Sequence, residues 1–316
     1  MKKESELLVD GRRLPVSNLD KVFYPKTGFT KGDVIDYYIP IAPVLLPHLK
    51  DRPLTLKRYP NGVAGSFFYE KRCPTFRPKW LKTAAIWSEG HQEHIHFCLV
   101  NDRAALVWAA NLADLELHTL LSKKQNPLRP TMMVFDLDPG PPANILNCVQ
   151  VAFWLKAALD GMGLKSFAKT TGSKGLQLYV PLNTPVTFDQ TKRLAEGLAR
   201  EHPNEVVYAM KKSLRKGKVL IDWSQNDDHK TTVCVYSLRA QERPAISTPV
   251  TWQELKKAAK TGNSELLLFD SEAVLRRVQK LGDLFEPVLT MKQRLPALDR
   301  GAPQTATSKS SKSPKS

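Results

Sequence analysis

The stretch that most constrains this chain is Thr131-Met-Met-Val-Phe-Asp-Leu-Asp-Pro-Gly140, a short apolar run that delivers two carboxylates and stops at Pro139-Gly140. The run is too short for a helix and ends in turn residues, which predicts a buried strand. Side chains alternate along a strand, so Asp136 and Asp138 project from one face. Two carboxylates on one face repel unless something positive stands between them. A divalent cation, magnesium or manganese, is the usual solution, since both prefer oxygen ligands and are often held by carboxylates together with substrate phosphates. A lone D-x-D can equally be a solvated pair at a strand end, so its meaning rests on its surroundings.

The 316 residues allow one large or two modest domains with a substantial core. A net charge of +16 and a pI near 9.6 favour a polyanionic partner, nucleic acid before membrane. No segment approaches the roughly 18 consecutive apolar residues of a membrane span. Met1 to Arg13 is charged and lacks the apolar centre of a secretory signal. Cys73, Cys98, Cys148 and Cys234 have no C-x-x-C or Cys/His ligand spacing and read as reduced thiols of a cytosolic protein, without a zinc site or a disulfide framework.

In chain order, Thr30 is placed to cap a helix through Tyr38, with Asp33 at the capping-box position. Lys21 and Lys31 flank that helix start, where backbone N–H groups favour an anion. Arg52 to Tyr59 alternates like a strand and carries Lys57 and Arg58 near its end. A Gly-containing loop then runs into Phe67-Phe-Tyr69 and the basic residues Lys71, Arg72, Arg77 and Lys79. Aromatics beside cations suit a single strand, whose bases stack while its phosphates pair; at least one of the three rings is expected in the core. His91, His94 and His96 lack acidic or cysteine partners at ligand spacing and read as structural or solvated. A helix is expected over Ala104 to Leu117, with His118 at its far end.

Pro141-Pro142 is expected to open a helix running to about Met162, with Trp154 and Leu155 on its apolar face. The strands Ser166 to Thr170 and Leu176 to Val180 enclose Thr171-Gly-Ser-Lys-Gly175. Such a turn can offer backbone N–H groups to an anion, with Lys174 adding charge, although it lacks Walker spacing. Asp222 ends another apolar strand, preceded by the basic loop Lys211 to Lys218. Thr231 to Arg239 is strand-like, and helices follow around Trp252 to Lys260 and Ser271 to Lys280. Residues 1–295 read as one catalytic domain, and 296–316 as a disordered basic Ser/Lys/Pro tail. Strand-borne Asp136, Asp138 and Asp222 on a basic chain fit two-metal phosphoryl transfer from a nucleoside triphosphate to a primer hydroxyl.

The chain resembles the archaeo-eukaryotic primase superfamily, most closely the polymerase domain of bacterial DNA ligase D, over nearly all of Leu8 to Glu286. The resemblance rests on Asn18-Leu-Asp-Lys21, Thr30-Lys31, Lys57-Arg-Tyr-Pro-Asn-Gly62, Phe135-Asp-Leu-Asp-Pro-Gly140, Thr171-Gly-Ser-Lys-Gly-Leu176, Val219-Leu-Ile-Asp-Trp-Ser-Gln-Asn226 and Tyr236-Ser-Leu-Arg239. It implies an α/β primase-polymerase core with antiparallel or mixed sheets around a central catalytic cleft. It implies a template-dependent nucleotidyltransferase that fills gaps during non-homologous end joining, prefers ribonucleotides and uses two divalent ions, Mn²⁺ or Mg²⁺. Asp136, Asp138 and Asp222 become the metal ligands; His118, Thr171, Ser173, Lys174, Gln177 and Arg239 surround the nucleotide, assisted by Lys57 and Arg58. Asn18, Lys21 and Lys31 match a pocket for a downstream 5′-phosphate, and Phe67, Phe68 and Tyr69 match the rings that stack on template bases, with a one-residue latitude in register. The implied setting is a prokaryotic cytoplasm at the nucleoid. The implied partners of this monomer are gapped or 5′-phosphorylated DNA, a Ku-like end-binding protein and a DNA ligase. No membrane is involved, and no ligase or nuclease domain is attached in this sequence.

Two departures stand out: Thr171 where the family has Ser, and Gln177 where it has a His that meets the triphosphate. Two alternatives remain open on the sequence. One is a non-catalytic module that bridges DNA ends. The other is a haloacid dehalogenase-like phosphatase, with Asp227-Asp228 as its later acidic pair, although Gly140 stands where that motif wants Thr or Val.

Overall fold

The computed structural model describes residues 4–296. The tail expected over 296–316 therefore lies, apart from Pro296, outside the described residues. Two six-stranded sheets face each other. The first orders its strands Val206–Val207, Val219–Asp222, Met132–Pro139, Leu176–Pro181, Phe167–Thr170 and Pro249–Val250. Every pairing in it is antiparallel except that of Val206–Val207 with Val219–Asp222. The second runs Thr231–Val233, Asp114–Leu120, Leu54–Arg58, Glu93–Cys98 and Thr83–Ser88, with Phe68–Glu70 also paired to Leu54–Arg58. The mixed α/β architecture agrees with the expectation.

Alternation decides which side of the first sheet does what. Met133, Phe135 and Leu137, with Leu176, Leu178 and Val180, join one apolar core with helices Ile145–Gly161, Phe188–Ala199 and Trp252–Thr261. Met132, Val134 and Tyr179 point the other way, into a core shared with helices Lys31–Leu49 and Arg103–Asn111. Continuing that second row along the strand brings Asp136 and then Asp138 to the mouth between the sheets. Burying one face of so apolar a strand leaves the acids no alternative face.

The helix start expected at Thr30 is present. Thr30 caps Lys31–Leu49, and the Asp33 side chain completes the capping box. That helix continues past Tyr38 through Pro40, Pro43 and Pro47, each of which lacks an amide donor; burial of Ile41, Ala42, Leu45 and Leu49 holds it together.

Other expectations are corrected. The helix expected over Ala104 to Leu117 ends at Asn111, and Ala113, at φ 63°, turns the chain into the strand Asp114–Leu120. His118 therefore sits on a strand; the alternation Asp114-Leu-Glu-Leu-His was masked by the apolar residues before it. Pro141-Pro142 forms a turn with a cis peptide bond, and the next helix starts at Ile145 under an Asn144 cap. The strand expected over Thr231 to Arg239 is two, Thr231–Val233 and Leu238–Ala240, with Tyr236 between them at φ 63°. Cys73 and Cys98 are bonded as a disulfide, against the expectation of reduced thiols. The Cys73 amide donates to the His96 carbonyl at 2.7 Å, which brings the two Cα atoms within 4.9 Å. Cys148 and Cys234 are free and buried. Among the described residues, no helix is long and apolar enough to cross a membrane.

Candidate active site

The acids are assembled by strand register. Asp136 lies directly opposite Asp222 on one side and Gln177 on the other, and Lys169 opposite Gln177 completes a row across four strands. Directly paired residues share a face. Beyond Asp222 its strand has ended, and the buried Asn226 side chain takes its place, accepting from the Val134 amide at 2.8 Å and donating to the Val134 carbonyl at 2.7 Å. Asp222 accepts from the Ser224 amide at 3.0 Å, the Ser224 hydroxyl at 2.5 Å and Gln225 Nε2 at 3.0 Å. These contacts fix its carboxylate toward the cleft.

Burial raises the Asp136 carboxyl from 3.8 to about 6, and the charges of Asp222 and Asp138 push the same way, against a hydrogen bond from Gln177 and the charge of Lys169. The row thus holds more negative charge than its own cations offset. Its donors are carboxylate oxygens, which fits hard divalent cations. A tighter group, Asp227, Asp228 and His229, has its ligand atoms within 4.8 Å of one another. It is already committed: Asp227 pairs with Lys192 at 2.7 Å and with His229 at 2.5 Å. None of the three lines the cleft, so they supply no second acidic pair for a phosphatase at Asp136.

The cleft is a cavity of about 500 Å³. Of the residues singled out in the sequence, it brings together Asp136, Asp138, Asp222, Thr171, Ser173, Lys174, Gln177, His118, Arg239 and Tyr69. Two glycines permit the close approaches around it. A Cβ on Gly175 would stand 2.0 Å from the Leu137 carbonyl oxygen, and one on Gly140 would stand 1.9 Å from that of Arg215. In the Thr171 to Gly175 turn, the Thr171 hydroxyl accepts from the Ser173 and Gly175 amides, each at 3.2 Å, so those two donors are engaged internally. Lys174 is exposed at the rim. Gln177 does face the cleft, but it is nearly sealed, donating to the Thr232 hydroxyl at 3.1 Å and accepting from the Tyr179 hydroxyl at 3.4 Å.

Lys57, Arg58, Phe67 and Phe68 do not line this cavity. Lys57 pairs with Glu116 at 3.0 Å and Arg58 with Glu70 at 2.8 Å. All three rings, Phe67, Phe68 and Tyr69, are exposed, at 50, 44 and 57%, which corrects the expectation that at least one is core. They are braced by cations instead: Lys57 lies 4.6 Å from the Phe67 ring centroid and Arg58 lies 5.2 Å from that of Phe68. Asn18, Lys21 and Lys31 gather separately at the start of helix Lys31–Leu49. Asn18 turns the chain at φ 54°, Lys21 donates to the Pro60 carbonyl at 2.6 Å, and Lys31 donates to the Ser17 carbonyl at 2.6 Å. Burial, with the Lys21 charge adding to it, lowers Lys31 from 10.5 to about 8.

The sequence reading missed Glu116 and Lys169, and took Arg215 only as part of the basic loop before Asp222. Arg215 Nη1 stands 3.6 Å from Asp138 Oδ2. Lys169 is fully buried, donates to the Ser247 hydroxyl at 2.6 Å and is lowered from 10.5 to about 7 by burial, with the Arg239 charge adding to the shift. Strand alternation would have flagged Lys169 and, once the strand was recognised, Glu116. No local pattern singles Arg215 out from the other cations of its loop.

Comparisons with known proteins agree with one another. A family model described as the LigD primase-polymerase domain matches residues 30–285. The multifunctional non-homologous end joining protein LigD of Mycolicibacterium smegmatis is 39% identical over 284 residues, covering 87% of this chain and 36% of that protein. The bifunctional non-homologous end joining protein LigD of Bacillus subtilis is 32% identical over 275 residues, covering 85% and 43%. This chain therefore spans less than half the length of these relatives. Among solved structures, the polymerase domain from Mycobacterium tuberculosis ligase D in complex with DNA is similar, with a TM-score of 0.82 at 38% identity, covering 89% of this chain and 99% of that one.

Proposed function

The chain belongs to the LigD primase-polymerase domain family, and from that premise we propose that it is a template-dependent nucleotidyltransferase, extending primers and filling short gaps at DNA breaks in non-homologous end joining. The observation that carries the reading is the register that sets Asp136 opposite Asp222, with Asp138 two residues on, in a cleft whose rim carries Lys174, His118 and Arg239.

Asp136, Asp138 and Asp222 would hold two divalent ions, manganese or magnesium; bound there, such ions lower the pKa of the primer hydroxyl and neutralise charge on the departing pyrophosphate. Thr171, Ser173 and Lys174 would meet the triphosphate from the turn, and His118 and Arg239 from the facing side. Gln177 holds Asp136 and Thr232 in place and offers an amide where the family has an imidazole. Phe67 to Tyr69 present open ring faces on which template bases stack. Lys57 and Arg58 support those rings from beneath. Asn18, Lys21 and Lys31 would grip the 5′-phosphate across the gap by their side chains, since the amides of Lys31, Gly32 and Asp33 at the helix start are already taken within the protein. A preference for ribonucleotides, a Ku-like end-binding partner and a ligase to seal the filled break complete the reading.

The decisive experiment is primer extension with Mn²⁺ on a gapped duplex bearing a 5′-phosphate, comparing ribonucleotides with deoxynucleotides. Templated addition should occur, and Asp136→Ala, Asp138→Ala or Asp222→Ala should abolish it while DNA binding persists. Phosphate-dependent binding without extension by the parent protein would favour the end-bridging module instead.

A further inference from the structure

Cations from the proposed nucleotide and template sites converge on one buried carboxylate. Glu116 is 1% exposed and lies opposite Lys57 across paired strands. Its Oε2 accepts from Lys57 Nζ at 3.0 Å, lies 3.0 Å from His118 Nε2 and stands 3.3 Å from Arg239 Nε. Its Oε1 accepts from the Ala240 amide at 3.1 Å and the Tyr59 hydroxyl at 3.3 Å. Burial alone would raise the Glu116 pKa, but the His118 hydrogen bond and the surrounding charges outweigh it and hold the carboxyl well below its usual range.

The two sides of this hub lead to different places. On one side Lys57 sits over Phe67 at 4.6 Å, Tyr59 at 5.3 Å and Tyr69 at 5.6 Å. Phe67 packs on Tyr59 with centroids 5.3 Å apart. On the other side Arg239 donates to the Thr171 carbonyl at 2.8 Å and so reaches the turn that carries Lys174. His118 joins the sides, with the Tyr69 ring edge-on to it at 5.9 Å. Without the carboxylate, Lys57 and Arg239 would be left as uncompensated, mutually repelling charges in a largely buried setting.

We propose that Glu116 is a positioning residue that couples the aromatic platform of Phe67 and Tyr69 to the cradle of His118, Arg239 and Thr171, so that a base seated on the rings favours nucleotide binding across the hub. The proposal rests on the polymerase reading for the identity of the ligands. Coupling of this kind is reciprocal, so disturbing either end is felt at the other.

The test measures nucleotide Kd on the gapped-duplex complex, together with steady-state incorporation, for the parent, Glu116→Gln, Phe67→Ala and the double variant. Glu116→Gln should raise nucleotide Kd and KM roughly tenfold, within the usual range of such couplings, and leave kcat within about twofold. The Kd penalty of Phe67→Ala should shrink in the Glu116→Gln background. An unchanged Kd in folded Glu116→Gln overturns the proposal, as does a kcat loss matching the KM change or strictly additive penalties in the double variant. If Glu116→Gln does not fold, Tyr59→Phe, which removes one hydroxyl from the same carboxylate, takes its place in the cycle with the same outcomes. A parent that binds nucleotide without extending primers would defeat the polymerase reading, while the coupling would still be judged on Kd.

Discussion

At the scale of single residues, the site is built at the expense of stability. Burial first, and the charge of Asp222 second, raise Asp136 to about 6. The unfolded carboxyl ionises near 3.8, so between that pH and about 6 the folded state holds the extra proton. Stability from this group is therefore full in acid and is lost as pH rises through that window. Asp136 still meets the cleft, so the loss above pH 6 is discounted to about 1–2 kcal/mol. Asp136→Asn should then melt higher than the parent at pH 7 to 8 in chelator, and Mn²⁺ should stabilise the parent but not the variant. Equal melting with and without chelator would count against a metal at Asp136. Gln177 sits one strand away, directly opposite Asp136. An imidazole there would be drawn toward its charged form by the carboxylate and would make the stronger, charge-assisted contact to a phosphate. Gln177→His should improve incorporation at low nucleotide concentration by about fivefold below about pH 7. Rates measured from pH 6 to 8 decide this, and an unchanged or poorer variant would place Gln177 outside the triphosphate contacts.

At the scale of elements, the proposed 5′-phosphate pocket at the start of helix Lys31–Leu49 is built differently from the cleft. Thr30 takes the Asp33 amide, the Lys21 and Leu19 carbonyls take those of Lys31 and Gly32, and two lysines stand beside the turn, one of them buried. Burial and the Lys21 charge hold Lys31 at about 8, so in the free protein it is charged below that pH and neutral above it. A bound phosphate would raise the pKa again. The preference for a 5′-phosphorylated gap over an unphosphorylated one should therefore be full near pH 7 and decline as pH rises beyond about 8, where binding must first recover a proton. Kd ratios for the two gaps at pH 7 and pH 9 test this; a constant ratio, or one that survives Lys31→Ala, would remove Lys31 from the pocket.

At the scale of the whole molecule, a net charge of +16 surrounds a cleft floored by acids. The basic exterior suits the DNA backbone, and the acidic floor suits cations. Binding to gapped duplex should weaken by at least about tenfold between 50 and 200 mM salt, because each phosphate contact releases counterions. Asp136→Asn should leave that slope unchanged, since it lies on the floor. A salt-independent Kd would mean that the surface charge does not bind the backbone.

What the sequence determined by itself is what local physics controls. The strand period placed Asp136 and Asp138 together and aimed Gln177 at the cleft, as the register and cavity lining bear out. Cap chemistry fixed the start of helix Lys31–Leu49 from Thr30 and Asp33 alone. The tertiary structure decided the rest, because it depends on residues distant along the chain. Whether Asp114 to Leu120 is helix or strand was settled by pairing with Leu54–Arg58 and Thr231–Val233, and only then did Glu116 and His118 fall on one face. The openness of Phe67 to Tyr69 follows from the cations beneath them, and the bond between Cys73 and Cys98 from a backbone contact at His96. Arg215 reaches Asp138 because Gly140 has no side chain to keep its loop away.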